Sequence, residues 1–228
     1  SERFLKLVAS YIDSAVVAGA ATAAPLAAFT QALDKLADLA EPFAAQPREP
    51  DPLAETWKEL AALRAMLSAD LETFQAKVAA RVNVWTKAAR DNAGLHAARQ
   101  ALQPVANQCR DLTTQIDLAT KLAGRAIDVA VMDLAARDSE AWLGTDVTRA
   151  RKVLESTRAQ AVESLHQPRY FVKQADWLQD RFPDAVLRDV QGLVKLVDRK
   201  ELVAHDWSLT PGRYVGVREQ EDDGLDFA

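Results

Sequence analysis

Ten apolar residues, Leu53, Trp57, Leu60, Leu63, Leu67, Leu71, Phe74, Val78, Val82 and Trp85, advance by three or four positions at every step. That spacing keeps them on one face of an α-helix, whereas a half-buried strand would need strict alternation. The stripe predicts one helix over about 52–92, on the order of 60 Å long. A helix of that length cannot bury its apolar face against a short loop, so it demands an equally long partner.

The partner follows at once. After the turn-forming Asp91-Asn92-Ala93-Gly94, the residues Leu95, Ala98, Leu102, Val105, Cys109, Leu112, Ile116, Ala119 and Ala123 alternate steps of three and four, and Ile127, Ala130 and Leu134 extend the series. Pro104 lies inside it, but the phase is kept across the proline, which predicts a kink rather than a break. The expected unit over 52–137 is an elongated antiparallel helical hairpin. Two helices leave one side of each arm bare, so a bundle around the hairpin is expected as well.

Upstream, Phe4, Val8, Tyr11, Ile12 and Ala15 form an amphipathic helix that Gly19 and the Ala/Thr run are expected to end; Leu26, Phe29, Leu33, Leu36, Ala40 and Phe43 form a second. Residues 1–46 therefore read as an N-terminal helical pair. Ser14 to Leu33 runs twenty residues without a charge, the length of a membrane span. It is mostly alanine, contains Thr22, Pro25, Thr30 and Gln31, and lacks a flanking cluster of Lys or Arg. A packed helical turn-around is the expected reading, with no membrane as partner. Three prolines within 46–52 force an extended link, after which Asp51 is placed to cap the next helix with Pro52 at its first position.

Downstream of a polar turn, Thr145 is placed to cap a helix whose inner face holds Val147, Ala150, Leu154, Ala161 and Leu165, and Pro168 is expected to interrupt it. Phe171, Ala175, Leu178 and Phe182 align on a further short helix that Pro183 ends. The Val- and Leu-rich 187–197 and Tyr214-Val215-Gly216-Val217 are β-prone. The segment 145–217 is therefore expected to close on a small irregular or short-β element, ahead of an acidic tail at 218–228. With eight glycines and nine prolines in 228 residues and many good helix formers, the fold class is mainly α.

Composition narrows the chemistry. The single cysteine, Cys109, leaves no internal disulfide and no thiolate zinc cage, which fits a reducing, cytoplasmic setting. The formal charge of −5 is concentrated in the last eleven residues, which carry −4, so the body lacks the basic field of a stand-alone nucleic-acid binder. Glu163 and His166 have the Glu-x-x-His spacing of di-iron bundles, but no second such pair accompanies them; a surface pair is the expected reading and no metal site is assigned. Cys109 sits on the hairpin seam, where a thiolate is penalised. The glycines never come closer than four apart, so no phosphate-cradling loop is present. Arg149, Arg151, Lys152 and Arg158, then Arg169, Lys173 and Arg181, are candidate phosphate contacts, although interspersed Glu155, Glu163, Asp176 and Asp180 also suit an ordinary solvated helix face.

The C-terminal sequence carries a resemblance. The runs Trp177-Leu178-Gln179-Asp180-Arg181-Phe182-Pro183-Asp184-Ala185, Gly192-Leu193-Val194-Lys195 and Asp206-Trp207-Ser208-Leu209-Thr210-Pro211-Gly212-Arg213-Tyr214-Val215-Gly216-Val217, followed by acidic residues and Asp226-Phe227, resemble the tail of the modification subunit of type I restriction-modification systems. Arg3-Phe4-Leu5-Lys6-Leu7-Val8 resembles the helix by which the chain leaves that family's methyltransferase domain. The resemblance implies a helical assembly region of an adenine-N6 DNA methyltransferase subunit. Its partners would be the specificity subunit and, through the complex, DNA. Trp177, Phe182, Pro183, Trp207, Pro211, Gly212, Arg213 and Tyr214 are the signature and candidate interface residues. The family uses S-adenosylmethionine, but its Asn-Pro-Pro-Phe-type tetrapeptide and Gly-rich loop have no match here: Asp51-Pro52-Leu53-Ala54 lacks the second proline and the aromatic that would stack on a flipped base. No catalytic, cofactor or metal residue is therefore assigned, and the start at Ser1 rather than Met suggests a piece of a longer protein. The alternative is a free-standing helical adaptor that self-associates through the Leu53 to Leu134 hairpin.

Overall fold

In the computed structural model of the chain, residues 1–45 and 49–216 are described. The helices are α1 (Glu2–Ala21), α2 (Ala23–Ala44), α3 (Ala54–Trp85), α4 (Asn92–Met132), α5 (Gly144–Arg181) and the short α6 (Arg199–Ala204), with 3₁₀ turns at Ala136–Asp138 and Pro211–Arg213. No strand forms among the described residues; the β-prone 187–197 yields one isolated bridge between Val190 and Val194. The irregular alternative describes this element, and part of the second β-prone stretch and the whole acidic tail lie outside the described residues.

The expected turn-around between the first two helices does not occur. They are joined through Thr22 alone, which keeps right-handed helical dihedrals (φ −69°, ψ −22°) and donates its hydroxyl to the Gly19 carbonyl at 2.7 Å. The register against α3 shows that the two continue as one rod. The Trp85 indole N–H donates to Asp13 at 3.1 Å, Val78 lies beside Gly19, and Arg64 pairs with Asp34. These pairs step evenly up the rod and down α3. A Cβ at Gly19 would lie 3.5 Å from Val78, an ordinary contact, so the glycine neither stops the helix nor is required for the passage. Glu2–Ala44 is long and apolar enough to cross a membrane by length and composition alone. Its apolar face, Val8, Ile12, Leu26, Phe29, Leu33 and Leu36, is instead buried in the core.

Four rods thus alternate in direction: α1 with α2, then α3, α4 and α5. The α3–α4 hairpin is present, closed by Gln115 and Gln108 donating to the Asp70 side chain and carbonyl. Its bare side is covered by the N-terminal rod and α5, an up-down-up-down arrangement. The hairpin stripe supplies much of the core: Leu60, Leu67, Phe74, Leu112 and Ile116 are all fully buried.

The helix boundaries differ from expectation for local reasons. α3 stops at Trp85, short of 92, because the Arg90 guanidinium lies 3.4 Å from the Trp85 ring centroid and donates to the Trp85 and Ala88 carbonyls. Cationic donors near a C-terminus satisfy its last acceptors. α4 starts where Asp91 accepts from the Gly94 N–H at 2.7 Å, and Gly94 is packed so tightly on Ala89 that a Cβ there would fall 2.4 Å from the Ala89 carbonyl oxygen. Losing such a cap costs about 1 kcal/mol, so Asp91→Ala is expected to lower the melting temperature by roughly 2–4 °C, followed by circular dichroism; no change would remove Asp91 from the account.

Two expectations on α5 also fail. The residue at its start is Leu143, with Thr145 already inside, and the helix runs unbroken through Pro168 to Arg181. A mid-helix proline costs about 3 kcal/mol. Here Leu165, Pro168, Val172 and Ala175 are all buried, so packing on both sides of the proline outweighs the lost hydrogen bond.

Candidate functional site

The second apolar cluster occupies one end of the bundle, where Val8 and Ile12 of α1, Trp85 of α3, Leu95 and Leu102 of α4 and Val172 and Ala175 of α5 meet. There the two stretches that carry the family resemblance touch. The Phe4 and Phe182 rings pack edge to face at 5.8 Å, and Tyr11 lies 6.4 Å from Phe171. From this end the chain leaves α5 and forms an arm, 184–216.

The arm is held by its own polar contacts. The Asp189 carboxylate accepts from Lys195 Nζ at 2.5 Å and from the Leu196 N–H at 2.8 Å, and the hydrogen bond from Lys195 holds the Asp189 carboxyl below its ordinary range. The Gly192 N–H, from a residue at φ +74°, donates to the Val215 carbonyl at 2.7 Å and ties the two halves of the arm together. A capping box between Asp198 and Glu201 starts α6. The helix ends in two successive left-handed residues, Asp206 and Trp207 (φ +52° and +55°), with the Trp207 N–H closing back on the Leu202 carbonyl. Left-handed backbone at a bulky residue is costly, and it turns the indole outward beneath Arg199, 5.7 Å away. The Tyr214 hydroxyl donates to the Ser208 carbonyl at 2.5 Å, and His205 meets its ring edge-on.

Although ordered in this way, the arm has no core. No residue from Val186 to Gly216 is buried. Val186, Leu187, Leu193, Leu196, Val203, Trp207 and Leu209 are each exposed by more than two-fifths, Leu209 by 81%. Exposed apolar side chains gathered on one segment are the usual mark of an interaction surface.

The signature residues divide into root and tip. Trp177 (stacked by Arg181 at 4.3 Å), Phe182 and Pro183 form the root. Trp207, Pro211, Gly212, Arg213 and Tyr214 lie near the tip, in and after the turn that follows α6. What the sequence did not single out is the α4 side of the root: Asn92 and His96 both reach the Pro183 carbonyl, at 2.6 and 3.0 Å. Their four-residue spacing on a helix start was the only available signal.

The candidate phosphate contacts are not one field. Arg151 is bonded to Asp128 and to the Gly124 carbonyl, and Arg158 to Asp117, so both tie α5 to α4. Arg149, 3.7 Å from Asp146, and Lys152 are exposed; Arg149 is turned by roughly 200° from Arg151 on the helix. These cations lie toward the far end of α5 from the arm. The groove between α4 and α5 is lined by the carboxylates Asp117, Asp128 and Glu155 and the cations Lys121, Arg125, Arg151 and Arg158. Within it Arg151 is paired with Asp128, and Arg158 with Asp117 and Glu155.

Among the described residues no group of three or more His, Cys, Asp or Glu side chains could hold a metal; Glu163 and His166 form an exposed pair at 3.9 Å. Burial pushes the Cys109 thiol up to about 12 from its ordinary 9.0. Below pH 9 both states keep the thiol proton; as the pH climbs from 9 toward 12 the unfolded state loses it while the buried thiol does not, so Cys109 costs stability over that window. A thiol reagent is expected to leave Cys109 unmodified at pH 8 and to label it fully in denaturant; rapid labelling of the native chain would contradict its burial.

Comparison with known protein families, with curated proteins and with solved structures returns no match to this chain.

Proposed function

We propose that this chain is the non-catalytic helical assembly region of a type I restriction-modification DNA adenine methyltransferase subunit, acting in the cytoplasm. In this reading the arm docks the specificity subunit, and DNA is met through the complex. The bundle is the rigid support, and S-adenosylmethionine chemistry belongs to a part of the subunit outside these residues. One observation carries the reading: the arm is ordered but buries no residue beyond Ala185, and it lies within the sequence that resembles the family's tail. Its root packs on the other resembling stretch, through Phe4 and Phe182.

A specificity subunit with long helices suits such a surface, because apolar side chains on an irregular arm can fill the grooves of a helix pair. The self-associating adaptor is the less favoured reading, because the Leu53 to Leu134 stripe is largely buried within this chain. A role in positioning DNA falls to Arg149 and Lys152, the exposed members of their group. The test is to mix the chain with the specificity subunit and follow co-elution. A stable complex is expected; failure by both the chain and a longer piece containing the methyltransferase domain would sink the docking role.

A further inference from the structure

Two side chains converge on one backbone group where the arm begins. The Pro183 carbonyl is the first acceptor beyond the Phe182 cap of α5, and two side chains from the start of α4, ninety-one and eighty-seven positions away in sequence, converge on it. Asn92 supplies its amide N–H at 2.6 Å and His96 its ring at 3.0 Å, in the tautomer with the proton on Nε2. The next contacts along the same seam are polar too: Arg99 Nε donates to Gln179 Oε1 at 2.8 Å, and its guanidinium pairs with Asp176. Asn92, His96 and Arg99 follow at four and three residues, one face of α4 aimed at the end of α5.

Elsewhere α4 packs on its neighbours mainly through leucine, isoleucine, valine and alanine, with polar ties from Gln108 and Gln115 to α3 and from Asp117 and Asp128 to α5. An apolar seam holds helices together but allows the chain that leaves them to swing, because apolar contact has no preferred direction. A carbonyl held by two donors fixes the plane of its peptide, and hence the direction in which the following residues depart. Arg188 adds a third tie, donating from its guanidinium back to the Arg181 carbonyl at 2.8 Å, and Ala185 is buried at the turn with φ +53°. Beyond these contacts no residue of the arm is buried, so the root sets the direction in which the arm, shaped by its own contacts, leaves the bundle.

We infer that Asn92 and His96 are positioning residues: by clamping the Pro183 carbonyl they hold the 184–216 arm in a binding-ready direction, so that the partner meets a preorganised surface. The inference rests on the docking role proposed above. Binding a segment that is already fixed avoids the ordering cost that a swinging one pays on association. The clamp therefore acts on affinity without touching the partner.

The experiment uses the intact chain with paired spin labels at Ala97→Cys on α4 and Lys200→Cys on α6, both exposed positions, Cys109 being buried. A narrow distance distribution is expected, and Asn92→Ala with His96→Ala should broaden it at least twofold. Affinity for the specificity subunit should fall about tenfold, the scale of one lost preorganising constraint. His96→Gln, which keeps an N–H donor near the same place, should restore the narrow distribution when Asn92 is intact. An unchanged distribution in the double variant overturns the clamp. So does an equal broadening between labels at Ala97→Cys and Lys58→Cys inside the bundle, which would make the two residues merely structural. A broadened arm with unchanged affinity instead overturns the docking role and leaves the clamp standing, so the two failures are told apart.

Discussion

Phe74→Ala is expected to lower the melting temperature by roughly 6–20 °C. Phe74 is fully buried on α3, in the cluster that also holds Phe29, Leu67, Leu112 and Ile116. Truncating a buried phenylalanine removes its transfer free energy and leaves a cavity that neighbours fill only in part, about 3–5 kcal/mol together. The total stability of a domain is about 5–15 kcal/mol, so the loss takes a large share of it. On the same helix Met66 is 48% exposed, and Met66→Ala should stay within about 0.5 kcal/mol. Thermal melts followed by far-ultraviolet circular dichroism check both, and equal melting temperatures for the two variants would contradict the four-rod core.

The second large effect is on association and not on folding. Trp207→Ala combined with Leu209→Asp changes two side chains that touch no core, one 56% and the other 81% exposed. The melting temperature should stay within a degree or two. Binding to the specificity subunit should weaken about a hundredfold, because a tryptophan anchor at an interface is worth about 2 kcal/mol or more and an aspartate facing an apolar partner adds to the loss. A variant that melts early would show instead that the arm supports the bundle.

The sequence made the hairpin legible because its stripes are long and unbroken: Leu53 to Trp85 and Leu95 to Ala130 map onto buried or half-buried positions throughout. It misled where a local signal was overridden by packing. Gly19 looked like a helix end, yet the helix continues through it with Val78 alongside. Pro168 looked like a break, yet buried residues on either side carry the helix through. The β-prone 187–197 had the right side chains for a strand, but only Val190 and Val194 form a bridge there.

For the candidate site, the signature residues were visible as a linear pattern. Its division into a clamped root and an uncovered tip was not, because the clamp joins Asn92 and His96 to a residue some ninety positions away. Periodicity reports which face of a helix is buried, and is silent on which carbonyl a polar side chain will find. The same limit applies to Arg151 and Arg158, whose partners Asp128 and Asp117 lie on another helix.

The central claim is that the uncovered arm is a docking surface, and equilibrium titration of the specificity subunit against the chain and its Trp207→Ala, Leu209→Asp variant tests it most directly. Saturable binding by the chain, about a hundredfold weaker for the equally stable variant, is the predicted result. Equal affinity for the two proteins would place the interface elsewhere on the bundle and contradict the claim.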